Sequence, residues 1–167
     1  MESVRKELEL LYDQCGDQFY HCALAVTRSG AAAEDAVHNA FQRALQLTYT
    51  PVNLKAYIFR SVRNAAIDLL RKESRTVALT TEMIFELPAL QITTLERREF
   101  LEDFANALNI LSSDEQETVV QHLVAHLTFQ EIADVRGRPL GTVTSWYRRG
   151  LEKLKHQLKN EHGSLRA

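Results

Sequence analysis

The stretch Leu127-Thr-Phe-Gln-Glu-Ile-Ala-Asp-Val-Arg-Gly-Arg-Pro-Leu-Gly-Thr-Val-Thr-Ser-Trp-Tyr-Arg-Arg149 decides how this chain reads. Thr128 with Glu131 three residues on is a capping box, in which side chain and backbone satisfy each other's free donors at a helix start. Phe129, Ile132 and Ala133 make a short apolar stripe that stops at Arg136-Gly137-Arg138-Pro139. A longer stripe follows in Val143, Tyr147, Gly150, Leu151, Leu154 and Leu158, leaving Thr142, Thr144, Ser145, Trp146, Arg148 and Arg149 toward the other side. A capped short helix, a glycine turn and a basic second helix predict a helix-turn-helix, whose second helix enters a DNA major groove.

Upstream, Ser112-Ser-Asp-Glu115 supplies another capping box, continued by Val119, Val120, Leu123 and Val124. Before it Phe100, Leu101, Phe104, Leu108 and Leu111 predict a helix opening a second module near Leu95. Residues 76–94 lack helical periodicity and carry two glutamates and no Lys or Arg, the composition of a linker. The first module shows three helical patterns. Leu8, Leu11, Tyr12, Phe19, Cys22, Ala23 and Val26 mark one helix or a closely joined pair, ended by Ser29-Gly30. Val37, Ala40, Phe41, Ala44 and Leu45 mark the next, with Glu34 and Asp35 expected in its first turn, where the helix dipole favours acids. A polar loop containing Pro51 separates it from a helix over about 54–72, striped by Leu54, Tyr57, Ile58, Ser61, Val62, Ala65 and Leu69. The other side of that helix carries Arg60, Arg63, Asn64 and Arg71, with Ile67 among them. The expected fold is therefore all-α: two small helical domains, 1–75 and 95–160, joined by a linker over 76–94, with a tail over 161–167.

The charge is distributed unevenly along the 167 residues. The net of −2 conceals two basic islands, 55–75 at +4 and 136–155 at +5, against −3 over 1–50 and −9 over 76–135. Each island falls on a predicted helix, as two anionic contacts would require, although a solvated basic face has the same composition. No apolar run is long enough to span a bilayer, and the charged start is unlike a signal peptide, so the expected location is the cytoplasm. Cys15 and Cys22, seven apart on one predicted helix, read as free packing thiols.

Ala33-Glu-Asp-Ala-Val-His-Asn-Ala-Phe41 and Ala56-Tyr-Ile-Phe-Arg-Ser-Val-Arg-Asn-Ala-Ala-Ile-Asp-Leu-Leu-Arg71 resemble the two signatures of sigma region 2. Leu127 to Ala133, Pro139 to Ser145 and Arg149 resemble the region 4 pattern. In this order, and over nearly the whole chain, the motifs resemble an extracytoplasmic-function (ECF) sigma factor of the sigma-70 family. The resemblance implies a region 2 helical bundle and a region 4 helix-turn-helix acting on promoter DNA with core RNA polymerase. It assigns the −10 element to Tyr49, Thr50, Asn53, Lys55, Tyr57, Arg60, Arg63, Asn64 and Arg71, the loop over 48–53 receiving a flipped base. It assigns the −35 element to Arg138, Thr142, Thr144, Ser145, Trp146, Arg148 and Arg149. Glu34, Asp35, His38, Asn39 and Gln42 are assigned to the beta-prime clamp helices, and the beta flap and an anti-sigma factor are further implied partners. The linker is implied to thread toward the polymerase active-site cleft, where its acidity would imitate RNA; an acidic solvated tether has the same composition.

The sequence departs from the family pattern at several places. Trp146 stands for the usual Arg and Thr144 for a common Lys, so the reading helix offers less charge. Tyr57 stands where Trp is frequent, and His38 for Gln, which would let docking respond to pH. The chain ends soon after the last helix, so control is expected from a separate partner. Enzymatic readings are poorly supported. His122 and His126 share a predicted helix face, and Cys15, His21 and Cys22 cluster, but neither group supplies the ligands of a zinc site. No phosphate-binding glycine loop or nucleophile elbow occurs, and no cofactor or metal is expected. Two other readings remain open at this point: a stand-alone helix-turn-helix regulator, and a sigma-like protein that occupies polymerase or an anti-sigma factor without initiating.

Overall fold

Helix starts written in the sequence recur at the starts of helices in the computed structural model, which describes residues 2–73, 103 and 106–164. Among these residues the elements are α1 (Glu2–Thr27), α2 (Gly30–Ala44), α3 (Leu54–Glu73), α4 (Ser113–Leu123), α5 (Phe129–Arg136) and α6 (Leu140–Ser164), with a helical turn over 106–109 ahead of α4 and no strand. The expected linker over 76–94, and the residues Leu95, Phe100, Leu101 and Phe104, lie outside the described residues.

In the first module α1 is one continuous helix rather than a pair. Phe19 sits fully buried at its centre, with ring centroids 5.5 Å from Phe41 and 4.4 Å from Phe59. Burial of each such ring contributes about 1.5–3 kcal/mol. Ala33, Ala36, Ala40 and Ala44 line the buried side of α2, so small side chains form much of its packing face. Phe59 is absent from the expected stripe of α3, yet it is buried, because α3 packs against α1, α2 and α5 and its apolar arc is correspondingly wide.

Two expectations for α2 are corrected. The Ser29 hydroxyl accepts a hydrogen bond from the Ala32 N–H at 3.3 Å and starts the helix at Gly30, so Glu34 and Asp35 lie beyond the first turn and the dipole argument does not apply. Leu45 falls just past the helix end and is 55% exposed. Between α1 and α2 the chain reverses at Arg28, whose φ of +52° is a left-handed conformation that side-chain-bearing residues seldom adopt.

Both capping boxes of the second module form. Ser112 and Glu115 exchange hydrogen bonds of 3.2 and 3.1 Å, and Thr128 and Glu131 exchange bonds of 3.2 and 2.8 Å. Gly137, at φ +60°, ends α5 with a left-handed cap, the conformation for which glycine is the default residue. Because α4 ends at Leu123, that side chain is 42% exposed, and His126 lies outside the helix at φ +55°. The face expected to join His122 and His126 therefore does not exist. His122 instead stacks on Phe129 at 4.3 Å, with Nδ1 2.8 Å from the Leu127 carbonyl oxygen.

The modules do not stand apart. One cluster of buried apolar side chains runs from Phe19, Cys22 and Val62 in the first module to Leu127, Ile132 and Val143 in the second, and α1 packs on α4 as α3 packs on α5. The acidic stretch is not uniformly a free surface either, since Glu115 and Glu117 are buried.

α4 crosses closely over α6 at Gly150. A Cβ on the buried Gly150 would lie 3.1 Å from Val119 Cγ2 and 3.4 Å from Glu115 Cβ. Gly150→Leu is expected to overpack this crossing and cost about 1–3 kcal/mol, read as a lowered midpoint in a circular-dichroism melt.

Candidate nucleic-acid interface

Three surfaces carry the residues singled out in the sequence. The first is the loop after α2 with the adjoining side of α3. Tyr49 is 67% exposed and Val52 fully so; Val52 is an apolar tip that sequence reasoning passed over. Thr50 and Asn53 are exposed, and the Asn53 side-chain oxygen accepts from the Ala56 N–H at 3.0 Å, which fixes the loop to the start of α3. Lys55 is half-buried, its ammonium 6.0 Å above the Phe59 ring, and Tyr57 packs against the core. Arg60, Asn64 and Arg71 are exposed, whereas Arg63 is half-buried. Arg60 and Arg63 reach the second module: Arg60 donates to the Asp134 carbonyl oxygen at 2.5 Å, and Arg63 Nε donates to Glu117 Oε1 at 2.5 Å.

The second surface is the start of α6. Arg138, Arg148 and Arg149 are exposed, and Thr142, Thr144 and Ser145 half-buried, with the Thr144 hydroxyl donating to the Gly141 carbonyl at 3.1 Å. Trp146 is not a freely projecting reader, because its ring is half-buried over the Arg136 guanidinium, 4.6 Å from centroid to Cζ. Arg136, which holds Trp146 in place, was missed in the sequence. It is buried, pairs with Asp114 and with Glu117 at 3.4 Å, and donates to the Thr118 hydroxyl at 3.1 Å. Burial lowers its guanidinium from the ordinary range, a tendency that Glu117 and Asp114 oppose. The available signal was its spacing, since Arg136 follows Phe129 and Ile132 by seven and four residues and so shares their stripe.

Glu115 anchors α6 from below. Its carboxylate accepts from Lys153 at 2.8 Å and lies 3.7 Å from Arg149 Nε. Burial opposes its charge, but the Lys153 hydrogen bond, the Ser112 N–H and the charges of Lys153 and Arg149 hold its carboxyl below the ordinary carboxylate range.

The third surface is an open cleft of about 840 Å³ between α1 and α2. Glu34, Asp35 and His38 line it from α2, and Asp13, Asp17, Tyr12 and Tyr20 from α1. Asn39 and Gln42 lie alongside on α2, half-buried and exposed respectively. The α1 acids were not anticipated, although Asp13 and Asp17 stand four apart and so share a helix side.

The Sigma-70 region 2 model matches residues 11–76 and the Sigma-70, region 4 model matches 101–154. The chain is 23% identical over 157 residues to the ECF RNA polymerase sigma factor SigM of Bacillus subtilis (strain 168), covering 89% of this chain and 93% of SigM. It is 24% identical over 148 residues to the RNA polymerase sigma factor SigV of the same organism, covering 86% of each. Among solved structures, the sigma factor RpoE of Bartonella quintana, crystallised with the anti-sigma factor NepR, superposes with a TM-score of 0.68 at 25% identity, over 95% of this chain and 98% of that one. With region 2 and region 4 in order, and only helices among the described elements, the chain belongs to the sigma-70 family, in its extracytoplasmic-function class. Proteins of this class bind RNA polymerase and promoter DNA and direct transcription initiation; a stand-alone regulator is not favoured.

The Glu115 anchorage makes stability depend on pH in one direction. A carboxyl held below its unfolded value of about 4.3 contributes stability above that value and loses it as pH falls through the lower folded value. Glu115→Gln is expected to melt below the unsubstituted protein at pH 7, with the gap closing as the pH falls through the acid range. A series of melts from pH 7 to pH 2.5 measures it.

Proposed function

We propose that the two modules divide a promoter between them while the acidic cleft holds polymerase. The loop over 48–53, tipped by Tyr49 and Val52, takes up an unstacked base of the −10 non-template strand. Tyr49, Thr50 and Asn53 read its edges, Tyr57 supports it, and Lys55, Arg60, Arg63, Asn64 and Arg71 track the strand's phosphates. The N-terminal turns of α6 enter the −35 major groove. Thr142, Thr144 and Ser145 face base edges there, with Trp146 packed over Arg136 beside them, and Arg138, Arg148 and Arg149 lie nearest phosphates.

Glu34, Asp35, His38, Asn39 and Gln42, joined by Asp13 and Asp17, form the docking surface for the beta-prime clamp helices, which must present basic groups to it. The second module would meet the beta flap. The protein works by binding in the cytoplasm rather than by catalysis, and an anti-sigma factor is its expected regulator, as NepR accompanies the similar RpoE. No helix among the described residues is long and apolar enough to cross a membrane.

The observation that carries this reading is the exposed loop at Tyr49–Val52 beside a basic helix side in the module that matches region 2. Its test is transcription in vitro with core RNA polymerase and a genomic promoter library, with 5′ ends sequenced. New start sites sharing −35 and −10 motifs are expected, and core binding without such transcripts would favour a polymerase-occupying protein. Arg63→Ala with Asn64→Ala should keep core binding and abolish permanganate-reactive open complexes on the promoters so found. Arg149→Ala should weaken binding to −35 duplex and reduce the slope of log affinity against log salt by about 0.9, one phosphate's worth.

A further inference from the structure

We infer that Trp146 and Tyr147, neighbours on α6, clasp α5 at its two ends, and that the Trp146–Arg136 half of the clasp sets the rotation at which α6 presents Thr142, Thr144 and Ser145 to a major groove. Arg136 and Trp146 are thereby positioning residues for −35 selectivity, and the inference rests on the −35 role proposed for α6.

Consecutive residues of a helix project about 100° apart, so two adjacent rings reach different ways around the element beneath them. Tyr147 turns to the first residue of α5, its ring 5.0 Å from Phe129 and 4.9 Å from His122, which itself stacks on Phe129. Trp146 turns to the last residue, with Arg136 Cζ 4.6 Å from its ring centroid. The two fastenings stand at opposite ends of an eight-residue helix, about 10 Å apart along its axis. One turn earlier, Val143 is fully buried and is the root about which α6 would otherwise turn. Ahead of it Leu140 is 46% exposed, and a Cβ on Gly141 would meet nothing within 4 Å, so the first turn of α6 projects from the module. A rotation of α6 that moved Thr142 and Ser145 off their line would have to pull one ring away from its end of α5.

The two halves of the clasp differ in chemistry. Tyr147 lies among rings, whereas Trp146 lies on a guanidinium whose edges are already taken. Asp114, Glu117 at 3.4 Å and the Thr118 hydroxyl at 3.1 Å hold Arg136 from α4. A planar guanidinium donates in its plane and stacks through its face, so these partners leave the face to the indole. The Arg136 side chain is only 2% exposed, and the attraction between ring and cation strengthens when the cation is stripped of water. One charge therefore joins the start of α4, the end of α5 and the groove-facing turns of α6. Arg136 is covered and cannot reach a phosphate, so its effect on DNA must pass through the pose of α6.

The test measures, by fluorescence polarisation, holoenzyme affinity for a fluorescein-labelled promoter fragment recovered in the transcription assay, and for the same fragment with its −35 motif scrambled. Trp146→Leu is expected to lower the ratio of the two affinities about tenfold, the effect of one mismatched base pair. Affinity for the scrambled fragment should stay unchanged, as should the slope of log affinity against log salt, because no phosphate contact is lost. Trp146→Phe keeps a ring face for the cation and should restore most of the ratio. Arg136→Lys keeps a charge for Asp114 and Glu117, which guards against a failure to fold, but lacks the flat face; it should lower the ratio about threefold. A ratio unchanged in both Trp146→Leu and Arg136→Lys would overturn the clasp. A loss with Trp146→Leu that Arg136→Lys does not share would overturn the positioning role of Arg136, the indole then acting on DNA directly. No preference of the unsubstituted holoenzyme for the intact fragment would instead overturn the −35 role of α6, and the inference with it.

Discussion

A carboxylate buried between two arginines from different modules ties the fate of each module to the other. Glu117 has side-chain exposure of 8%, with Arg63 on one side and Arg136 on the other. Removing one partner from such a site leaves an uncompensated buried charge, at a cost of about 3–5 kcal/mol, whereas separating the modules lets water replace the partner. The network therefore resists substitution more than it resists opening. The packing of α1 on α4 and of α3 on α5 follows the same lines, as does the placing of Trp146 above Arg136. The charge of Glu117 also reaches Cys22 in the first module, adding to the burial that pushes that thiol up.

The three candidate surfaces rest on scaffolding of different stiffness. α6 follows the Gly137 turn and is held by the Glu115 anchorage to Lys153 and Arg149, while capping boxes fix the starts of α4 and α5 beneath it. The loop before α3 is tied at one end by Asn53 and carries its exposed aromatic and aliphatic tips, Tyr49 and Val52, outward. The acidic cleft lies across two helices already locked by the Phe19, Phe41 and Phe59 rings, so its carboxylates are displayed by a rigid frame.

Local signals were legible where the chemistry is local. Ser112 and Thr128 announced α4 and α5 through side chains that bond three residues away, and Gly137 announced its turn, because the left-handed cap there favours glycine. The wider arc of α3 at Phe59 was illegible because it depends on the Phe19 ring of α1, forty residues earlier, and on α3 packing among several helices. Glu34 and Asp35 were placed one turn early because a dipole argument took precedence over the Ser29 cap. His126 misled because periodicity continues past a helix end that only the backbone at φ +55° reveals. The site residues were visible as types and faces. Their partners were not, since Arg63 with Glu117 and Arg60 with Asp134 are pairs of long sequence separation.

Trp146 is the single tryptophan of the chain. Its indole lies face to face with a fixed cation and at the threshold between interior and solvent. Emission from that ring is governed by the local field and by hydration, so the protein carries an unlabelled optical gauge on the helix assigned to the −35 groove. Arg136 in turn lies 3.4 Å from Glu117, so the ring's ultraviolet emission is sensitive to the charge network that joins the two modules.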